Sequence, residues 1–322
     1  MAGTTKKRRN GGARRKPSRG NPQRSHGPAA PRRAGVGDWI GAARLRTLPL
    51  AISPVLVGTG AALVVDDGFH WVLALGCLAV AVLLQIGVNY ANDYSDGVRG
   101  TDEVRVGPAR LTGAGLARPR TVLLVAFVFF GLAALAGLAL VIRTQQWWML
   151  LVGVACIAAA WFYTGGRRPY GYNALGEVFV FVFFGLVATI GTTYVQALAV
   201  PQEAWLGAVA VGLFACAVLL ANNLRDIDQD RVAGKRTLSV RIGRRGTQVV
   251  FTLFVLVPFG IAVFLALFYP IAWLALMALL LVLPAILIVW TYRQPRELVI
   301  ALSLTSLASV AYSALLLWAF VG

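Results

Sequence analysis

Charge is scarce in this 322-residue chain: charged residues make up 13% of it and hydrophobic ones 58%. A soluble domain carries roughly 25% charged residues. That excludes the pair of soluble domains the length alone would permit. Histidine is nearly absent, with only His26 and His70, too few for a histidine-based metal centre. The three cysteines, Cys77, Cys156 and Cys216, lie in apolar segments without ligand spacing and read as small buried hydrophobes. Residues 1–35 hold no apolar run, so no cleavable signal peptide is expected.

The net charge of +17 is unevenly spread: residues 1–33 contain eleven Lys and Arg and no Asp or Glu. Rich also in Gly, Pro and Ser, residues 1–37 cannot bury a core and are expected to form a disordered, basic cytoplasmic tail. Its first reading is a solvated segment. Its second is contact with anionic membrane lipid headgroups, at roughly 1 kcal/mol per basic residue. Nucleic acid is not an expected partner, because no aromatic residues interleave with the charges.

Long apolar runs, in contrast, are plentiful. A membrane span needs about 20 apolar residues. Nine candidates lie near 47–65, 71–91, 120–141, 146–164, 175–196, 204–222, 248–268, 271–291 and 298–320. The expected fold is therefore an all-α integral membrane bundle of about nine transmembrane helices over residues 38–322. Lys and Arg concentrate in 1–46, 92–119, 165–174, 223–247 and 292–297, and the outer turns hold only Arg143. By the positive-inside rule the N-terminus is cytoplasmic. Chemistry then belongs on the inner face, where the long polar loops 92–119 and 223–247 lie.

Both loops open with Asn and Asp. The second span ends in Asn92-Asp93-Tyr94-Ser95-Asp96, the sixth in Asn222-Asn223-Leu224-Arg225-Asp226, with Asp230 four residues on. If each span continues as a helix, Asp93 pairs with Asp96 and Asp226 with Asp230 on one helix face. Stacked carboxylates repel unless a cation lies between them. Hard oxygen donors without His or Cys favour magnesium or calcium, and magnesium typically bridges carboxylates to substrate phosphates. The metal set expected is Asn92, Asp93, Asp96, Asn223, Asp226 and Asp230. Arg99, Arg105 and Lys235 follow the clusters and suit a diphosphate. Two such clusters, four spans apart, suggest an internal duplication whose halves converge on one site.

These stretches resemble the UbiA superfamily of intramembrane aromatic prenyltransferases. Asn92-Asp93-x-x-Asp96 looks like its first Asp-rich motif and Asp226-x-x-x-Asp230 like its second. The resemblance covers about residues 40–320. Three longer stretches, 92–115, 163–196 and 222–243, are similar to the menaquinone-pathway branch. The resemblance implies Mg2+ as cofactor, with a polyprenyl diphosphate and 1,4-dihydroxy-2-naphthoate as substrates. It also implies decarboxylation to demethylmenaquinone, on the cytoplasmic side of a multi-pass cell-membrane protein. Hydroxybenzoate is the alternative acceptor. A CDP-alcohol phosphotransferase would keep all its Asp within one segment. A cation transporter would place carboxylates near the bilayer midplane, not at span ends.

The catalytic set expected is Asp93, Asp96, Asp226, Asp230 and Tyr163. Trp161, Phe162 and Tyr163 are candidates to stabilise an allylic cation through their ring faces, and Tyr163, Tyr170 and Tyr172 to handle phenolic protons. Arg46 resembles an Arg that the family uses near the aromatic acid. Glu177 is an intramembrane carboxylate, a functional candidate by default. Phe179, Phe181, Phe183 and Phe184 are candidates to line a lipid-open groove for the prenyl tail.

Overall fold

The computed structural model describes residues 1–4, 33–65, 68–100 and 110–322. The expectations for the basic tail between residues 5 and 32, and for Arg105, lie outside the described residues. The chain divides into two compact units, Met1–Arg32 and Arg33–Gly322, and among the described residues the helices lie in the second.

Among the described residues this second unit is helical throughout: α1 Val36–Ala42, α2 Pro49–Leu63, α3 Trp71–Val98, α4 Pro119–Thr144, α5 Met149–Phe162, α6 Gly176–Val180, α7 Ala188–Ala197, α8 Gln202–Arg225, α9 Ile227–Val232, α10 Leu238–Leu265, α11 Leu279–Thr291 and α12 Leu298–Val321. Prolines open several of them. Pro49 and Pro119 occupy the first turns of α2 and α4, where the missing N–H costs nothing. Helices α6 and α7 form one run, joined by a π-helical turn at Phe181–Val187. Among the described residues, seven helices are long and apolar enough to cross a membrane. The count is eight if the bent pair Val36–Thr47 and Pro49–Leu63 is one span. Of the nine expected spans, α5 falls short of that length, with 14 residues. Large apolar side chains such as Leu135, Leu151, Leu267 and Leu280 face outward, as a lipid-facing surface requires.

Small residues set the helix contacts. A Cβ on Gly58 would lie 2.6 Å from the Thr189 carbonyl oxygen of α7, and one on Gly185 would lie 2.7 Å from Gly212 Cα of α8. Such close backbone approach is how helices pack where lipid removes the hydrophobic drive. The main core joins α8, α10 and α12, with Phe214, Phe259 and Tyr312 packed edge to face. Helix α5 is the exception. Only Ala160 of it is buried, because one side borders a cavity.

Candidate active site

The cavity, about 460 Å³, lies between α2, α3, α4, α5, α6–α7 and α8–α9. One end is polar. Helix α3 supplies Gln85, Asn89, Asn92 and Asp96 to its wall. Steps of four, three and four residues keep all four on one helix face. The opposite wall carries Asn222, Asn223, Asp226, Gln229 and Asp230. Here the helix breaks: α8 ends at Arg225, and Asp226 (φ −97°, ψ 9°) is the junction to α9.

Cations link the walls. Arg110 donates from Nη1 to Asp96 Oδ2 at 2.5 Å and to the Asn92 carbonyl at 3.1 Å. Lys235 Nζ lies 3.4 Å from Asp96 Oδ1, 3.8 Å from Asp230 Oδ1 and 4.5 Å from the Tyr172 ring centroid. The Tyr172 hydroxyl also donates to Asp96. Lys235 is held there by backbone bonds on both sides, from its own N–H to the Asp230 carbonyl (2.8 Å) and from Arg236 N–H to the Tyr172 carbonyl (2.8 Å). Arg225 grips both oxygens of Asp226, at 2.7 and 2.6 Å. Burial pushes the Asp230 carboxyl up to about 6; Lys235 opposes the shift, and Asp226 and Asp96 add to it.

Several expected residues stand elsewhere. Asp93 does not line the cavity; its carboxylate accepts the backbone N–H groups of Leu111 and Thr112. Arg99 donates to the carbonyls of Thr164 and Gly166, tying the end of α3 to the segment after α5. Arg46 is exposed and outside the lining, while Arg44, two residues earlier, lines it. Arg44 sits in the left-handed region (φ 54°, ψ 60°) at the break between α1 and α2. Asn89 Nδ2 pins that break through the Ala43 carbonyl at 2.9 Å, and Gln85 Nε2 pins it through Thr47 Oγ1 at 3.1 Å. Glu177 is buried beside the cavity and accepts from Asn223 Nδ2 at 3.1 Å. The Asn92 side-chain oxygen accepts from the Thr164 hydroxyl at 2.6 Å. Sequence reasoning passed over Arg44, Arg110 and Thr164. The second cluster's Asn222 and Gln229 were visible at helical spacing but not assigned.

The other end is apolar. Leu84, Val88, Leu138, Val141, Val152 and Ile157 are among its walls, and it reaches Cys77 and Met149. Along α3 the step from Asp96 to Cys77 is roughly 28 Å at 1.5 Å per residue. A row of aromatic rings leads into it: Tyr163 edge-on to Tyr170 (5.5 Å), Tyr170 stacked on Phe179 (3.9 Å) and Phe179 on Phe183 (6.1 Å). Phe184 also lines the cavity. Three other candidates do not. Trp161 stacks on Phe127 (5.4 Å), Phe162 is exposed, and Phe181 packs against Gly212.

Three carboxylates and three cations face this space (Asp96, Asp226, Asp230; Arg44, Arg110, Lys235). Among the described residues no three acidic, His or Cys side chains close on one point. The donors are all oxygen, and the carboxylates stand on two walls with one ammonium between them. That arrangement suits a hard cation brought in with an anion better than either alone.

A multi-pass helical bundle with a cavity charged at one end and apolar at the other defines a membrane protein built for an amphiphile with an anionic head. The chain belongs to the UbiA prenyltransferase family, whose model matches residues 51–309. It is 49% identical over 280 residues to the 1,4-dihydroxy-2-naphthoate octaprenyltransferase of Mycobacterium tuberculosis, covering 87% of this chain and 95% of that one. It is 36% identical over 270 residues to the enzyme of the same name from Haemophilus influenzae, covering 81% and 88%. Among solved structures it is similar to a UbiA homolog from Aeropyrum pernix in its apo form (TM-score 0.64, 17% identity, 81% and 96% covered). It is also similar to one from Archaeoglobus fulgidus bound to GPP and Mg2+ (TM-score 0.63, 15% identity, 88% and 99% covered).

Proposed function

We propose that this protein transfers a polyprenyl group from a polyprenyl diphosphate to 1,4-dihydroxy-2-naphthoate with loss of carbon dioxide. The product is the reduced form of demethylmenaquinone. The observation that carries this reading is the 49% identity to a relative of that name over nearly its whole length. The charged-to-apolar cavity supports it.

In this reading the C–O bond of the allylic diphosphate breaks and its electron pair leaves with the diphosphate. A ring carbon of the acceptor then supplies the pair for the new C–C bond. Asp96, Asp226, Asp230 and the Asn223 amide oxygen are the residues that would hold magnesium. The bound ion would offset charge building on the leaving group. Arg110 and Lys235 grip the diphosphate directly. The rings of Tyr163, Tyr170 and Phe179 face the nascent cation, where a desolvated cation–π contact contributes about 2 kcal/mol. Tyr170 donates its hydroxyl to the Ala159 carbonyl at 2.7 Å, which leaves Tyr163 as the phenol free to meet the acceptor. Arg44, for whose guanidinium no hydrogen bond or ion pair is seen among the described residues, takes the acceptor's carboxylate in place of Arg46. The short helix α5 makes the ninth pass, and the carboxylate end faces the cytoplasm with the basic loops.

The test is transfer by purified protein from a polyprenyl diphosphate to dihydroxynaphthoate or hydroxybenzoate, with and without magnesium. Magnesium-dependent transfer to dihydroxynaphthoate is expected, and transfer to hydroxybenzoate alone would overturn the reading. Arg44→Gln should raise KM for dihydroxynaphthoate by about 10–100-fold, the range for one charge-assisted hydrogen bond, with KM for the diphosphate little changed. Proton and cation compete for Asp230. Its carboxylate forms only as pH rises through about 6, so the magnesium concentration giving half-maximal rate should fall between pH 5 and 7. A flat dependence in magnesium titrations across that window would count against Asp230 as a ligand.

A further inference from the structure

The first Asp of the first cluster has a different task from the second. Asp93 and Asp96 are both buried, yet only Asp96 faces the cavity. Each Asp93 oxygen takes one backbone N–H, Oδ2 from Leu111 and Oδ1 from Thr112, both at 2.9 Å. A carboxylate satisfied this way is a strong acceptor for backbone donors. Two further contacts hold the same stretch. Leu111 is buried in a cluster with Tyr90, Ala91 and Val122. Gly97 lies so close that a Cβ there would meet Thr112 Cβ at 2.5 Å and Gly113 N at 2.9 Å. With Leu111 and Thr112 clamped along α3, the preceding residue, Arg110, reaches Asp96 and the Asn92 carbonyl.

We propose that Asp93 is a positioning residue and not a metal ligand. It clamps the Leu111–Thr112 backbone to the end of α3 and thereby aims Arg110 into the cavity to take the substrate's diphosphate. This rests on the reading that a prenyl diphosphate occupies the cavity.

The experiment compares Asp93→Asn, Gly97→Ala, Arg110→Ala, Asp230→Asn and the Asp93→Asn/Arg110→Ala double variant in full-length protein. An amide offers one oxygen where two N–H groups need acceptors, and its own N–H groups oppose the second. Gly97→Ala pushes the same stretch away from α3, one turn beyond Asp93, without touching a carboxylate or disfavouring the helix. Both variants should raise KM for the polyprenyl diphosphate by about 10–100-fold, with KM for the acceptor within about twofold of wild type. Mn2+ binding with inorganic diphosphate present, followed by electron paramagnetic resonance, should keep its ion stoichiometry in Asp93→Asn and lose it in Asp230→Asn. Because Asp93 acts through Arg110, the double variant should match Arg110→Ala within about twofold, as for coupled neighbours. Loss of bound Mn2+ in Asp93→Asn to the extent seen in Asp230→Asn would overturn the proposal, as would multiplicative losses in the double variant. Should Asp93→Asn not fold, an unchanged diphosphate KM in Gly97→Ala would overturn it instead. Absence of prenyl transfer by wild type would remove the functional reading, and the Mn2+ and diphosphate measurement would still report on Asp93.

Discussion

Asp230→Asn is expected to lower prenyl transfer by about 10²–10³-fold, the usual loss when a charge-stabilising group is removed, while leaving the metal-free protein at least as heat-stable as wild type. The two effects have one origin. Asp230 is buried near Asp226 and Asp96, and its carboxyl is raised to about 6. A group whose folded pKa is raised favours the fold when protonated, and its ionisation at neutral pH works against it. Asn mimics the protonated form, so the substitution relieves that cost in the free protein. The same carboxylate is what a cation beside the diphosphate needs. Asp226→Asn behaves differently. Arg225 is buried and bonds both Asp226 oxygens, so the variant leaves a buried guanidinium without its counter-charge. It should lose both activity and stability, since breaking a buried pair costs about 3–5 kcal/mol. Thermal unfolding in detergent with a turnover assay separates the cases. A destabilised Asp230→Asn, or one that turns over normally, would contradict the site.

Gly191→Phe is expected to cut kcat/KM for a long polyprenyl diphosphate more than about 100-fold and to spare a geranyl or dimethylallyl donor within about fivefold, a selective loss of uniform binding. Gly191 lies in α7, lines the apolar end, and has no atom within 4 Å of where a Cβ would sit. A benzyl group there therefore fills the cavity and does not displace a neighbouring helix. Along the α6–α7 run Gly191 lies 14 residues, roughly 21 Å at 1.5 Å per residue, beyond Glu177, which bonds Asn223 at the charged end, so that end is left untouched. The contrast is with Gly58 and Gly185, where a Cβ meets backbone and substitution attacks the fold itself. Competition between long and short donors on one preparation reads the outcome. Equal losses for both donors would mean that the tail does not use this end.

The membrane character and the two oxygen-rich clusters were legible in the sequence because they depend on local order. An apolar run long enough for lipid must be helical wherever its neighbours lie, and Asp226 and Asp230, four apart, share a face once that stretch turns as helix. Which way a face points is another matter. Asp93 and Asp96 are about 60° apart around α3, enough for one to meet the Leu111–Thr112 backbone and the other the cavity. Arg44 and Arg46 look interchangeable as a string of basic residues, but a single left-handed residue between α1 and α2 decides which of them is inside. Arg110 carries no spacing signal at all, since its place depends on a loop folded back along a helix laid down earlier. Sequence alone determined that this chain is a helical membrane protein with two acidic oxygen clusters at helix ends. The tertiary structure decided which of those oxygens face one another, because helix rotation and chain breaks are set by packing between segments remote in sequence.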